Sequence, residues 1–312
     1  MILDSQVKEL LATLAAKKAP RLWDMSLAAG RALYRTTAHM LDLKDVSIGQ
    51  IENRVLPGPA GDIAVRLYTP VAASAGALPL LVYFHGGGFV IGDLDTHDAT
   101  CRILCNESGV KLMAVDYRLA PEHKFPAALE DAFAAVAWAE KNAAEINIDA
   151  NRIAVGGDSA GACLAAQVCQ RAREEKNPRI SFQLLIYPVT DFAADTQSRR
   201  QFARGYVLEK ESIDWFFGHY VPAHMSFDDA ALSPIRCEDF SNLPPAYVLT
   251  AEFDPLRDEG KAYAECLMKA GVEVRYVEEA GVIHGFCNMT GVIEKARTAL
   301  KDAATALSKA LA

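Results

Sequence analysis

No stretch of this sequence approaches the roughly 18 consecutive apolar residues that a membrane-spanning helix requires, so no span is expected. The early apolar run at residues 10–16 follows Asp4, Lys8 and Glu9. A secretory leader wants a basic and otherwise neutral start there, and an amphipathic helix fits better. Basic clusters are missing too. The net charge is −8 and the Lys and Arg residues are dispersed, so the electrostatic footprint of a nucleic-acid binder is absent. The cysteines, at 101, 105, 163, 169, 237, 266 and 287, are odd in number and scattered. That excludes a disulfide framework and fits free thiols in a reducing, cytoplasmic setting. Cys101 and Cys105 stand four apart with no second ligand pair, so packing outranks zinc binding and no metal site is expected. Internal repeats and low-complexity segments are also lacking.

What remains is a chain of 312 residues, 51% hydrophobic and 23% charged, an ordinary globular balance with room for a large core. Residues 1–19 place Ile2, Val7, Leu10, Leu11 and Leu14 near helical spacing, and Pro20 stops that helix. A second helical pattern covers residues 24–41. Strand-like segments at 50–56 and 62–69 flank the turn at 58–61. Apolar runs at 78–84, 111–115, 153–155, 182–187, 246–250 and 272–277 then alternate with helical patterns at 97–107, 127–144, 160–175 and 256–270. A last helix fills 292–311. Continuous apolar strands separated by helices predict an α/β fold with a mainly parallel sheet flanked by helices. Residues 191–230 interrupt this rhythm, and their aromatics (Phe202, Tyr206, Trp215, Phe216, Phe217, Tyr220) favour packing over disorder. The expected organisation is a body of residues 49–190 and 231–312, with residues 1–48 and the insertion 191–230 forming a helical cap.

The candidate chemistry begins where the strand at 153–155 runs into Gly156-Gly157-Asp158-Ser159-Ala160-Gly161 ahead of a helix. Gly157, Ser159 and Gly161 fill the G-x-S-x-G pattern, in which a sharp strand-to-helix turn leaves a strained serine with its hydroxyl exposed. A phosphate-binding turn is the competing reading. The spacing fits neither common phosphate fingerprint, and Asp158 would repel the ligand. His85-Gly86-Gly87-Gly88 follows the strand at 78–84. Consecutive glycines let backbone N–H groups converge on one anion, so Gly86 and Gly87 are expected oxyanion donors, with Ala160 the third. His85 is expected to anchor that loop.

A serine nucleophile needs a base and an orienting acid, and in this kind of sheet the chain order is serine, acid, histidine. Of the histidines after Ser159, 219 and 224 lie in the insertion, whereas His284 sits in Gly281-Val-Ile-His284-Gly285-Phe286, just past a strand. His284 is the expected base. Asp254, after the strand at 246–250, ranks first as the acid. Asp191 is its rival, and Asp258 is read as support for the loop.

Taken together, His85-Gly-Gly-Gly88, Asp116-Tyr-Arg-Leu-Ala-Pro-Glu122, Gly157-Asp-Ser-Ala-Gly161, Asp254-Pro-Leu-Arg-Asp258 and His284-Gly-Phe286 resemble the hormone-sensitive-lipase-like (bacterial family IV) carboxylesterases. The resemblance spans residues 85–286. It implies an α/β-hydrolase fold with a helical cap, and cofactor-free hydrolysis of short-to-medium acyl esters. It maps the triad onto Ser159, Asp254 and His284, and the oxyanion donors onto Gly86, Gly87 and Ala160. Ala162 departs from it, since many relatives carry glycine there. The implied partner is a small-molecule ester, and a homodimer is compatible. Two other readings remain open: an acyltransferase using the same triad, and a ligand-binding relative that has lost catalysis. Residues 116–122 have no chemistry of their own and are expected to buttress the glycine loop.

Overall fold

The computed structural model describes residues 2–17, 20–73 and 76–312, so residues 1, 18 and 19 of the expected first helix lie outside it. Two helices come first, α1 (Ser5–Lys17) and α2 (Leu27–Leu41). The expected second helix starts later than its pattern, because Leu22–Asp24 forms a separate 3-10 turn. Ser26 caps α2 by accepting the Ala29 N–H at 3.3 Å, which fixes its true start. The hairpin β1 (Gln50–Gly58) and β2 (Gly61–Thr69) leads into β3 (Leu78–Phe84), α3 (Asp98–Ser108), β4 (Lys111–Asp116), α4 (Ala127–Lys141), β5 (Ile148–Asp158) and α5 (Ala160–Glu175). β6 (Phe182–Ile186) is followed by α6 (Gln197–Gln201) and α7 (Lys210–Tyr220). β7 (Ala246–Phe253), α8 (Arg257–Lys269), β8 (Val274–Ile283) and α9 (Glu294–Ala310) complete the chain. β5 and β8 run longer than their apolar runs, because exposed or half-buried residues (149–152 and 278–280) separate those runs from the rest of each strand.

The strands form one sheet in the order β1-β2-β4-β3-β5-β6-β7-β8. β1 and β2 are antiparallel to each other, β2 is antiparallel to β4, and all remaining pairs are parallel. Strand alternation splits the core. Leu80, Val82 and Phe84 of β3 face the layer holding α4, α5 and α8, while Leu81 and Tyr83 face α3 and α9. The buried alanines of α4 (Ala128, Ala132, Ala135, Ala139) recur at helical spacing and let it pack closely on its neighbours. From β3 the chain winds outward to β4, and from β5 it winds the other way to β8. The β3–β5 boundary is thus a topological switch point, where the loops beyond the strand ends diverge and leave a crevice.

Residues 2–48 and 191–230 add no strand among the described residues. They are tied to the sheet by specific contacts. The Arg31 guanidinium of α2 donates to Val90 O at 2.8 Å and Ala120 O at 3.0 Å, and pairs with Glu122 at 2.8 Å. Buried Glu259 of α8 pairs with Arg199 of α6 at 2.7 Å. The Lys124 ammonium donates to the carbonyls of Gly218, His219 and Val221, neutralising the negative end of α7. Asp42, at the C-terminal end of α2, is buried and accepts from Thr290 Oγ1 at 3.1 Å.

Burial raises the Asp42 carboxyl to about 6, against which the Thr290 hydrogen bond works only in part. A raised carboxylate pKa means that ionisation costs the folded state more than the unfolded one. Stability is therefore lost as pH climbs from the unfolded value near 4 through about 6. Asp42→Asn keeps the acceptor oxygen and removes the charge. Denaturation midpoints are expected to show a gain on the order of 1–3 kcal/mol at pH 8 and no gain at pH 4.

Candidate active site

Ser159 occupies the single-residue turn between β5 and α5 with φ 54° and ψ −117°, a strained conformation for a residue with a side chain. The surroundings enforce it: Ser159 N–H donates to Ile186 O at 2.8 Å, and Ser159 O accepts from Cys163 N at 3.1 Å. The flanking glycines are required by space. A Cβ at Gly157 would stand 2.4 Å from Phe84 O, and one at Gly161 only 1.9 Å from the same atom. The turn thus packs directly on the end of β3. Ala162, next along α5, is fully buried.

The acid and base arrive from the two strands at the sheet's edge. β7 pairs with β8 through Phe253 and Ile283, so the next residues, Asp254 and His284, emerge side by side. His284 Nδ1 lies 2.7 Å from Asp254 Oδ2, and His284 Nε2 lies 2.9 Å from Ser159 Oγ. Asp254 is completely buried, and its other oxygen accepts the Leu256 N–H at 2.8 Å. The Tyr187 ring packs on the imidazole at 4.7 Å between centroids. The rival acid is elsewhere: Asp191 pairs with Arg236 at 3.1 Å. Asp258 accepts the Ser198 N–H at 2.8 Å and pairs with Arg257, holding the insertion at this end of the sheet.

The glycine loop differs from expectation at one position. Gly86 N–H donates to Asp158 Oδ1 at 2.9 Å, and Gly86 does not line the cavity above Ser159. Its hydrogen is committed, so Gly86 is withdrawn as an oxyanion donor. Gly87 and Gly88 do line that cavity, and among the described residues their N–H groups meet no acceptor. Both have positive φ, 118° and 59°. A Cβ on Gly88 would come 2.2 Å from the Phe216 ring, and one on Gly87 would come 2.1 Å from Ile91 O. Ala160 supplies the first N–H of α5, one of the helix's unpaired donors.

Residues 116–122 hold this loop from behind. Tyr117 Oη donates to His85 O at 2.7 Å, its ring stacks on His85 at 4.3 Å, and Ala120 N–H donates to Phe89 O at 2.8 Å. Burial, reinforced by nearby His97, pushes His85 down to about 4, so it stays neutral and structural.

Asp158 was read from the sequence only as a repeller of phosphate. In the structure it is a buried hub. It accepts from Tyr83 Oη and Gly86 N at Oδ1, each at 2.9 Å, and from Asn288 Nδ2 at Oδ2, also 2.9 Å; His97 Nε2 stands 3.3 Å away. Burial favours the neutral acid, but His97, Tyr83 and Asn288 outweigh it and bring the carboxyl down to about 2. One carboxylate therefore joins the glycine loop, the serine turn and the segment after His284. Asn288 and His97 lie 130 and 61 residues from it in sequence, and no local pattern marks them.

Above Ser159 and His284 lies a cavity of about 770 Å³, walled by Leu11 and Leu14 of α1, Tyr34 and Leu41 of α2, and Ile213 and Phe216 of α7. Arg21 and Glu209, 3.2 Å apart, bridge the two wall segments. Among the described residues there is no cluster of three or more His, Cys, Asp or Glu side chains able to hold a metal ion, and no helix long and apolar enough to cross a membrane.

A protein-family model described as alpha/beta hydrolase fold matches residues 81–288. The chain belongs to this α/β-hydrolase family. The carboxylic ester hydrolase LipN of Mycobacterium tuberculosis is 44% identical over 274 residues, covering 85% of this chain and 72% of that protein. An ethyl acetate hydrolase of Pseudomonas putida is 40% identical over 275 residues, covering 86% and 83%. An ester hydrolase from the metagenome of Lake Arreo, solved with a bipyridine phosphonate derivative, superposes with a TM-score of 0.96 at 43% identity over 99% of each chain. Within the α/β-hydrolases the chain is a carboxylic ester hydrolase of the hormone-sensitive-lipase-like group.

The close approach at the serine turn gives a direct test. Gly161→Ala is expected to lose on the order of 3–5 kcal/mol in urea unfolding, because backbone cannot move aside. Gly218→Ala, on α7 with nothing within 4 Å of the added Cβ, is expected to gain about 0.5–1 kcal/mol instead.

Proposed function

We propose that this protein hydrolyses short-to-medium-chain acyl esters through an acyl-enzyme on Ser159. The observation that carries the reading is the unbroken contact from Asp254 through His284 to Ser159, at 2.7 and 2.9 Å. His284 Nε2 takes the Ser159 proton as Oγ attacks the ester carbonyl, and Asp254 holds Nδ1–H and balances the imidazolium charge. The carbonyl oxygen becomes an anion facing the N–H groups of Gly87, Gly88 and Ala160, already oriented by a loop that needs no reorganisation. His284 then protonates the leaving alcohol, activates water, and the acid departs.

The same geometry supports a cap made by residues 1–48 and 191–230 over a body of residues 49–190 and 231–312, since the cavity walls come from the first set and its floor from the second. An apolar wall rewards each added methylene, and a volume of about 770 Å³ suits a small ester more than a long-chain lipid. The cysteines, all unpaired, support a reducing cytoplasmic location.

The test is Ser159→Ala, with the fold checked by circular dichroism, on p-nitrophenyl butyrate. The expected loss in kcat is at least about 10⁴-fold, and a folded variant that keeps its activity overturns the mechanism. Asp254→Asn is expected to lose about 10³- to 10⁴-fold, while Asp191→Asn stays near wild type in the same assay. Across p-nitrophenyl esters, kcat/KM should rise about fourfold per methylene from acetate and fall once the chain outgrows the cavity.

A further inference from the structure

The cavity above Ser159 is walled mainly by apolar side chains, among them Leu11, Leu14, Leu41, Ile213 and Phe216. Two hydroxyls that the mechanism does not use interrupt this lining, Tyr34 on α2 and Ser212 on α7. Among the described residues, no protein group makes a hydrogen bond to either hydroxyl. Ser212 is buried and Tyr34 half-buried, and both oxygens keep accessible surface instead of being sealed in protein. Buried polar groups are nearly always paired, and an apolar cavity orients its ligand through the few polar groups it presents.

The placement of Tyr34 is the more telling of the two. α2 is fastened near both ends. Arg31 donates to Val90 O at 2.8 Å, just after the glycine loop. Leu41 O accepts the Gly291 N–H at 2.8 Å, and Asp42 accepts from Thr290, both beyond His284. Tyr34 lies between these anchors and shares a helix face with Arg31. Its ring is therefore carried to where the glycine loop and the segment after His284 meet over Asp158. Burial, then the charges of Asp158, Asp42 and Asp93, push the phenol far above its ordinary pKa, so it stays a neutral donor. Each of those carboxylates is engaged elsewhere: Asp158 with Tyr83, Gly86 and Asn288, Asp42 with Thr290, and Asp93 with Arg35 and Thr96. The same charges oppose a carboxylate on a ligand, which leaves a neutral oxygen as the acceptor this donor can hold.

We propose that Tyr34 is a specificity-determining residue: its hydroxyl donates to a neutral oxygen that the substrate carries near its scissile carbonyl, so the preferred substrates are short esters bearing an ether, a hydroxyl or a second ester group. The inference rests on the esterase reading and names its substrate class. Asp158 immediately precedes Ser159, so an oxygen held beside it lies close to the bond being cleaved. The apolar walls reward methylenes in general, whereas Tyr34 rewards an oxygen in one place. A methylene there covers the phenol and gives it no acceptor, which costs more than the missing bond alone.

The experiment measures kcat/KM of wild type and Tyr34→Phe on two nearly isosteric substrate pairs. The acyl pair is p-nitrophenyl β-methoxypropanoate and p-nitrophenyl pentanoate. The alcohol pair is methoxyethyl butyrate and butyl butyrate, followed by pH-stat titration. Phenylalanine keeps the ring and removes a hydroxyl that bonds to no protein group, so the fold loses no contact. Comparing the two proteins on each substrate cancels the intrinsic reactivity that an ether confers on its ester. In at least one pair, Tyr34→Phe is expected to lower kcat/KM on the ether member by about 3- to 10-fold and on the all-carbon member by less than about twofold. The pair that responds identifies the side of the scissile bond that Tyr34 reads. An equal change on both members of both pairs, or no change on any, overturns the proposal and leaves the esterase reading intact. A wild type that hydrolyses none of the four esters overturns the esterase reading, and the proposal with it.

Discussion

The structure depends on how closely the turn holding Ser159 is pressed against the end of β3. The Phe84 carbonyl occupies the space where side chains at positions 157 and 161 would go, so only glycine fits at either. That contact brings the β5–α5 turn and the loop after β3 within one hydrogen bond of each other at the switch point of the sheet. The strain of Ser159 is sustained because the backbone around it is hydrogen-bonded to β6 and α5. Its hydroxyl is therefore held in place before substrate arrives, which is what a preorganised nucleophile requires.

Much of this was legible in the sequence, and for physical reasons. Glycine spacing around Ser159 records a steric limit, so it can be read locally. The order of Ser159, Asp254 and His284 records strand order, and apolar runs report the strands. Both Asp254 and Asp191 follow a strand, and Asp254 ranked first because its strand directly precedes the one leading to His284; the β7–β8 pairing shows how the two are brought side by side. Three things escaped. Gly86 was read as an anion donor, yet its N–H is held by Asp158, and nothing in a run of glycines tells which N–H turns toward the cavity. The hub at Asp158 draws partners from residues 83, 86, 97 and 288, and contacts so far apart leave no periodicity. Arg31, which no sequence motif marks, fastens α2 to Val90 and Ala120.

Catalytic geometry and cavity are carried by different parts of the chain. Strand ends present Ser159, Asp254 and His284, whereas α1, α2 and α7 supply walls of the cavity above them. These walls are joined to the sheet by a few charged anchors: Arg199 pairs with buried Glu259, and Lys124 donates to carbonyls at the end of α7. Removing Arg199 would leave the buried Glu259 carboxylate as an expensive unpaired charge. Changes to the cavity lining can thus alter substrate choice without disturbing the reacting groups, provided those anchors remain.

The central claim is that Ser159 alone becomes acylated, because His284 activates it and no other hydroxyl. Incubating the wild-type protein with diethyl p-nitrophenyl phosphate, which phosphorylates an activated serine and is released slowly, and mapping the adduct by peptide mass spectrometry tests this directly. The account predicts one diethylphosphoryl group per chain, on Ser159, with activity lost in proportion. An adduct on another residue, or full labelling of Ser159 with activity intact, would contradict it.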